Sequence, residues 1–331
     1  MHKCTWFVLL LLGIAGCKPV EKPVTHDFYY WKSKFEVDSV EQNYLSLMGS
    51  KNIYVRLFDV DQSDRGFPQP VGNLQGLDPS VVRQNLIPVV YITNRSFNGM
   101  SIAAVDTLAK RVYTRVSRMF TQAGINKIPE IQIDCDWTQG TRNVFFTFLE
   151  SLKKYSGTGI TCTLRLHQVK FKTSTGVPPV DKVYLMCYAT SSPLEKDPRN
   201  SILDIALLAD YLQDINAYPL DFDLALPLYS WAIVRNHLGE VRLINGVSAQ
   251  ELQAPQYQLQ ADGKYRVEQD VFLKGLYLNK GFSVKVESIS PELLQEVQAY
   301  LKSHVQANYK LVYFHLDAQF LSRFAIPELK Y

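Results

Sequence analysis

Residues 130–138 read Glu130-Ile131-Gln132-Ile133-Asp134-Cys135-Asp136-Trp137-Thr138. Successive side chains of a β-strand point to opposite faces, so the stretch divides into Ile131, Ile133, Cys135 and Trp137 on one side and Gln132, Asp134, Asp136 and Thr138 on the other. The first set is apolar and suited to packing under helices. The second carries two carboxylates. Residues 160–167 repeat the pattern, with Ile160, Cys162, Leu164 and Leu166 against Thr161, Thr163, Arg165 and His167. Adjacent strands that turn polar sets one way and apolar sets the other predict a helix-covered sheet whose second face surrounds a polar interior.

Working outward, six more strands are expected at 28–31, 53–59, 87–93, 183–188, 222–229 and 311–315. Helical periodicity separates most of them, most clearly at 104–123, 144–154, 201–212 and 291–305. The last helix is announced by Ser290 as N-cap, Pro291 at its first position, and Leu293, Leu294, Val297 and Leu301 at helical spacing. Eight strands alternating with helices make a (β/α)8 TIM barrel the leading α/β architecture, with a doubly wound open sheet as the alternative that shares the same local signals. Alternation sends Tyr54, Arg56 and Phe58 inward from the second strand, and Tyr184, Met186 and Tyr188 from the sixth. From the seventh it sends Asp223, Ala225, Pro227 and Tyr229, and from the eighth Leu311, Tyr313 and His315. Two stretches exceed a minimal barrel. Residues 61–85 form a Pro/Gly/Asp-containing excursion, and 238–288 read as a β-rich insertion after the seventh strand. Barrel active sites sit at the C-terminal ends of the strands, where that insertion forms one wall of a cleft.

Of 331 residues, 47% are hydrophobic and 20% charged, and 35 Lys+Arg against 32 Asp+Glu give a formal net charge of +3. That balance excludes a disordered chain and argues against nucleic acid as a partner. Residues 1–16 combine Lys3 with the apolar run Trp6 to Ile14, too short for the roughly 20 residues a spanning helix needs, and read as a secretory signal. Ile14-Ala15-Gly16-Cys17 looks like a bacterial lipobox, in which the chain is cut before a Cys that becomes lipidated; an ordinary signal with an incidental Cys is the alternative. Lipidation at Cys17 would anchor the protein on a membrane of the cell envelope, with the outer membrane the expected location, since Lys18 and not Asp follows the Cys. Residues 17–27 then form a tether, and 28–331 a single barrel domain. Cys135, Cys162 and Cys187 show no CxxC spacing, and buried free thiols are expected.

The interior is polar and aromatic, whereas barrel cores favour Val, Ile and Leu. Buried Asp134 and Asp136 require donors or a proton, and Arg165 and Arg56 are the nearest candidates. A structural ion-pair network accounts for Asp134 as well as a catalytic role does. Asp136, Arg165 and His167 lie close to strand ends, where a site is expected. His167 or His315 taken alone also fits a satisfied, half-buried histidine. Trp31, Tyr188, Tyr229 and Trp231 supply aromatic faces near the cleft on which sugars can stack. No His/Asp spacing indicates a metal, and no cofactor is expected.

Ile133-Asp134-Cys135-Asp136-Trp137-Thr138 resembles the signature of glycoside hydrolase family 18, the chitinase-like barrels, in which Asp-x-Asp-x-Glu ends the fourth strand. Met186-Cys187-Tyr188 looks like that family's Met-x-Tyr, and the β-rich insertion follows the seventh strand, as in many chitinases. Residues 132–138, 165–170 and 177–188 are also similar to an uncharacterised group of lipoproteins of Bacteroidetes-type bacteria. The chitinase resemblance implies that Asp136 orients a substrate acetamido group, Asp134 is its buried partner, and the Tyr188 hydroxyl steadies the reacting carbonyl. Thr138 stands where the family has its acid Glu, and a hydroxyl is far too weak an acid to protonate a leaving group near neutral pH. Asp136 could take the acid's place if Asp134 raised its pKa. The expected function is therefore action on carbohydrate as a glycoside hydrolase-like protein. The alternatives are a carbohydrate-binding pseudoenzyme and a structural or partner-docking role in the envelope.

Overall fold

The computed structural model describes residues 24–63 and 66–330. The expected signal, the lipidation site Cys17 and residues 17–23 of the tether lie outside the described residues. Eight parallel strands form the barrel: β1 (His26–Tyr30), β2 (Asn52–Gln62), β3 (Asn85–Ile92), β4 (Glu130–Asp134), β5 (Gly159–Arg165), β6 (Lys182–Met186), β7 (Phe222–Pro227) and β8 (Leu311–Phe314). Each pairs with its neighbour in chain order. The ring closes because β1 pairs in parallel with both β2 (Phe28 opposite Ile53) and β8 (His26 opposite Leu311). The open-sheet alternative is thereby excluded.

The helices between strands follow from apolar spacing and caps. Ile102–Gln122 buries Val105, Leu108, Ala109, Val112, Val116 and Phe120 on one stripe, and the Ser101 hydroxyl accepts the Ala104 N–H at its start. Arg142–Ser156 buries Phe145, Phe148, Leu149 and Leu152, and stops at Gly157, whose φ of 61° is left-handed. Pro291–His304 begins as its sequence predicts, with Ser290 capping Leu293 N–H at 3.2 Å. The helix expected from 201 instead starts at Ile205. Asp204 caps it through Leu207 N–H, while Ser201 is drawn away to Glu287.

Two hydrophobic layers result. The outer layer lies between strands and helices and contains Ile131, Ile133, Cys135, Trp137, Ile160, Cys162, Leu164 and Cys187; the three cysteines are buried free thiols. The inner layer fills the barrel with Tyr29, Tyr54, Ile87, Val89, Tyr184, Met186, Tyr188, Ala225 and Val312, four of them tyrosines. Polar pairs close the lower end. Tyr54 and Tyr184 share a hydrogen bond of 2.7 Å, Tyr184 donates to Glu130, and Lys182 meets Asp223 at 2.5 Å.

Face assignments hold for β4, for β6 and for Thr163 and Arg165 of β5, and fail at three places. β2 carries a bulge between Arg56 and Phe58, so Leu57 and Phe58 both join the outer layer and Asp59 turns inward in place of Phe58. β5 ends at Arg165, and Leu166–Lys170 is a short helix, so His167 is exposed on its first turn instead of lining the barrel. In β8 the faces are reversed. Leu311 and Tyr313 face the helices, where the Tyr313 hydroxyl donates to Leu329 O at 2.6 Å, and Val312 and Phe314 face inward. All four residues of β8 are apolar or aromatic, so alternation offered no polar face to orient them.

The excursion after β2 is a hairpin in which Asp59 to Gln62 pair antiparallel with Pro68–Val71. The second sheet begins at Ser230, not near Leu238, because Ser230–Arg235 already pairs with Ser283–Ser288 and Val241–Asn245. Tyr265–Val267 and Tyr257–Leu259 complete its five strands. The sheet has its own small core, which includes Ala232, Val234, Val267 and Val284, and rises directly from the end of β7.

Candidate functional site

A cleft of about 500 Å³ opens at the C-terminal ends of the strands, within the size range of small-ligand sites. Trp31, Arg56, Asp134, Arg165, Tyr188, Tyr229, Trp231 and His315, all expected from sequence, line it. Asp59, Tyr91, Asn245, Phe314 and Phe320 line it as well. Asp136 lies at the rim, held by Arg165, and His167 stands exposed beyond it.

The β4 end explains this arrangement. Trp137 is fully buried on the outer side, its ring stacked 5.1 Å from Phe145 and its indole N–H donating to Thr175 O at 2.9 Å. That anchor fixes the alternation around it: Asp134 turns into the cleft, Asp136 reaches the rim, and Thr138 is exposed, its N–H donated to the Thr141 hydroxyl at 3.0 Å. Asp134 is 8% exposed and accepts from the Thr163 hydroxyl at 2.6 Å. Burial pushes its carboxyl up, opposed by the Arg165 charge and reinforced by Asp136. The Arg165 guanidinium takes both oxygens of Asp136 through Nε and Nη2, the latter at 3.2 Å. Burial works against the Arg165 charge, yet Asp134 and Asp136 outweigh it and hold the guanidinium above its ordinary value.

Two strands away, on β2, lies a second Asp/Arg pair with different geometry. Arg56 Nε and Asp59 Oδ1 are 3.6 Å apart, beyond hydrogen-bond distance, and neither atom has a protein hydrogen-bond partner although both are buried. The Arg56 guanidinium lies 5.6 Å from the Trp31 ring centre. Burial raises the Asp59 carboxyl above the usual range, with Arg56 pulling the other way. The His315 Nδ1 is also buried without a partner, and burial lowers this imidazole to about 4 against the pull of Asp317.

A continuous aromatic wall stands at the ends of the other strands. Trp31 contacts Phe314 (5.4 Å between ring centres), Phe314 contacts Tyr188 (5.6 Å) and Tyr229 (5.9 Å), and Tyr229 contacts Trp231 (5.4 Å). Trp231 belongs to the second sheet. Its indole N–H donates to Glu287 Oε2 at 2.9 Å, and Glu287 is itself held by Ser201 and Lys285. The inserted sheet thus forms a cleft wall, to which Asn245 adds a polar tip. The Tyr188 hydroxyl donates to Met186 Sδ at 3.1 Å, and burial raises its pKa far above the ordinary phenol value. Tyr91 is pushed up to about 12 by burial and by Asp136 and Asp134.

No family model and no curated protein matches the sequence. Solved structures do. A chitinase from Chromobacterium violaceum superposes with a TM-score of 0.56 at 12% identity over 91% of this chain and 97% of its own. The C-terminal domain of a candidate chitinase from Desulfitobacterium hafniense gives 0.58 at 12% identity over 93% of this chain and 99% of its own. The Bacillus cereus spore cortex-lytic enzyme SleL gives 0.53 at 14%, covering 91% of this chain and 75% of that one. The fold is a chitinase-type barrel. At such identities the likeness concerns backbone architecture. Within the chitinase-type barrel of this chain, the Asp-x-Asp-x-Thr motif occupies the end of β4, and Thr138 presents no acid to the cleft.

Asp59 and Tyr91 were missed by sequence reading, although each left a signal. Tyr91 continues the inward series of Ile87 and Val89, and Asp59 follows the apolar doublet Leu57-Phe58 that accompanies the bulge. Phe314 left none, being one apolar residue among four. Among the described residues, no group of three or more His, Cys, Asp or Glu is arranged to hold a metal ion.

Proposed function

We propose that the cleft binds a carbohydrate chain and that the protein is a glycoside hydrolase-like member of the cell envelope. The observation that carries this reading is the aromatic wall from Trp31 through Phe314 and Tyr229 to Trp231, facing two Asp/Arg pairs in one cleft. Aromatic faces bury the apolar face of a sugar ring, and planar guanidinium and carboxylate groups hydrogen-bond its hydroxyls in pairs. The chitinases among the structural neighbours agree with carbohydrate as the ligand class. In this reading Asp134, Arg165, Tyr188 and Arg56 contact the sugar, Asp136 fixes Arg165, and His315 offers its unpartnered nitrogen. The test is a glycan array on the full chain followed by calorimetric titration of the strongest saccharide. Saturable binding that weakens about tenfold in Trp231→Ala supports the reading, and no binding across the array removes it.

Binding without turnover is the second reading. Thr138 in place of the acid, and the engagement of both Asp136 oxygens by Arg165, favour it. For location we propose lipidation of Cys17 and anchoring in the outer membrane. Radiolabelled palmitate should enter the native chain and not Cys17→Ala, and the native chain should fractionate with outer-membrane vesicles; label retained in Cys17→Ala refutes the anchor.

A further inference from the structure

The missing acid at Thr138 raises the question of whether another group in the cleft can donate a proton to a glycosidic oxygen. Such a group must reach the cleft, must have an oxygen not already committed to a protein donor, and must sit where its surroundings favour the protonated form. Asp136 fails the second requirement, because Arg165 takes both of its oxygens. Asp134 is buried where Asp59 is only half-buried, and its Oδ1 already accepts from Thr163, which leaves Asp59 the more accessible carboxyl. Asp59 lines the cleft, its Oδ1 has no protein donor, and burial raises its carboxyl and so favours the protonated form.

Its placement depends on local features of this chain. The bulge between Arg56 and Phe58 rotates β2 so that Asp59, not Phe58, faces the cleft. The hairpin then holds it. Asp59 pairs with Val71, and a Cβ on the next residue, Gly72, would come within 2.8 Å of Asp59 Oδ2. Gly72 has φ of +58°, so both the backbone and the space beside the carboxyl call for glycine. Asp59 Oδ1 is buried with no hydrogen-bond partner, and Arg56 stops 3.6 Å short of it.

The geometry points to Asp59 as the general acid of a glycosidic cleavage carried out in this cleft, taking the role that Thr138 cannot fill. The inference rests on the carbohydrate reading of the cleft. The raised carboxyl agrees with the role, since burial favours the protonated form that an acid needs. In the step, the bond between the anomeric carbon and the leaving oxygen breaks, its electron pair goes to that oxygen, and the oxygen takes the Asp59 proton. A water oxygen bonds to the anomeric carbon and releases a proton to solvent, from which Asp59 is reprotonated. Water is the sole co-reactant, and atoms and charge balance.

The experiment uses the full chain and a panel of methylumbelliferyl and dinitrophenyl glycosides of glucose, N-acetylglucosamine, galactose, mannose and xylose and of their disaccharides. Dinitrophenol is so acidic that it leaves without protonation, whereas methylumbelliferone leaves faster when protonated. The native chain should turn over at least one sugar. For that sugar, Asp59→Asn should cut kcat about 100-fold or more on the methylumbelliferyl glycoside and change the dinitrophenyl rate by less than about tenfold. Melting and glycan titration show whether the variant folds and binds. A second arm needs no variant: the native rate should fall at alkaline pH for the methylumbelliferyl glycoside and hold for the dinitrophenyl one. Oligosaccharide binding with no turnover anywhere in the panel overturns the acid while leaving the carbohydrate reading intact. Equal alkaline losses for both leaving groups, or an Asp59→Asn chain that folds, binds and turns over at the native rate, also overturn it. Absence of any oligosaccharide binding removes the carbohydrate reading and the acid together.

Discussion

Two Asp/Arg pairs stand at one cleft, on strands two to three apart, and do different things. Asp136 and Arg165 form a closed pair, with two guanidinium nitrogens on two carboxylate oxygens at a rim where the Asp136 side chain is 44% exposed. Asp59 and Arg56 form an open pair, 3.6 Å apart, with the Asp59 side chain 19% exposed and a buried polar atom of each partner left without a hydrogen bond. A closed pair satisfies itself and stiffens the wall it stands in. An open pair keeps its hydrogen-bonding capacity for whatever enters, at a cost to the folded state. Sequence motif and local chemistry therefore part ways here: the recognisable Asp-x-Asp-x-Thr stretch supplies the closed pair, and an unremarked strand bulge supplies the open one.

The difference can be broken first at the arginines. Arg165→Met leaves Asp134 and Asp136 facing each other without their shared cation, and should lower unfolding stability by about 3 kcal/mol in urea titration at neutral pH. Arg56→Met should cost about 1 kcal/mol, since no hydrogen bond joins it to Asp59. Equal losses would mean that the two pairs are not different in kind.

Next in size is Trp231→Ala, which removes a wall element that Glu287 holds in place and should weaken saccharide binding about tenfold, or about 1.4 kcal/mol, by calorimetry. Smaller is Asp136→Asn. Its partner is partly solvated, so the loss in urea titration should be about 1 kcal/mol.

The smallest effect has the opposite sign. The folded Asp59 carboxyl lies above its ordinary value of 3.8, mainly through burial. Its contribution to stability is present in acid, below the unfolded value, and is lost as pH rises through the folded value. Asp59→Asn should therefore melt higher than the native chain at neutral pH, and the gain should vanish below about pH 4, near the unfolded value. A variant that is less stable at neutral pH would show that Asp59 is a structural partner of Arg56.

What the sequence shows of all this depends on how each strand mixes polar and apolar residues. β4 and β5 alternate Gln132, Asp134, Thr161, Thr163 and Arg165 with aliphatic residues and cysteines, so their faces, and with them half the cleft, are legible. In β8, Leu311-Val312-Tyr313-Phe314 is buried on both faces and carries no such contrast, which hid Phe314. The bulge is invisible for a similar reason: Leu57 and Phe58 are both apolar, and period-two counting continues through them as though the strand were regular. His167 was placed one step too far along β5, because Arg165 ends the strand and a helical turn begins at Leu166. The inserted sheet is legible as β-rich, but its first strand, Ser230–Arg235, falls between the expected end of the seventh strand at 229 and the expected start of the insertion at 238.

The account stands or falls on a saccharide occupying the cleft between the Asp/Arg pairs and the aromatic wall that includes Trp31 and Trp231. The direct measurement is calorimetric titration of the strongest array saccharide into the native chain and into a Trp31→Ala, Trp231→Ala double variant of unchanged melting temperature. Saturable binding to the native chain that falls by at least about 100-fold in the double variant is the predicted result, each aromatic face contributing about tenfold. Binding of equal strength to both chains, or to neither, would contradict it.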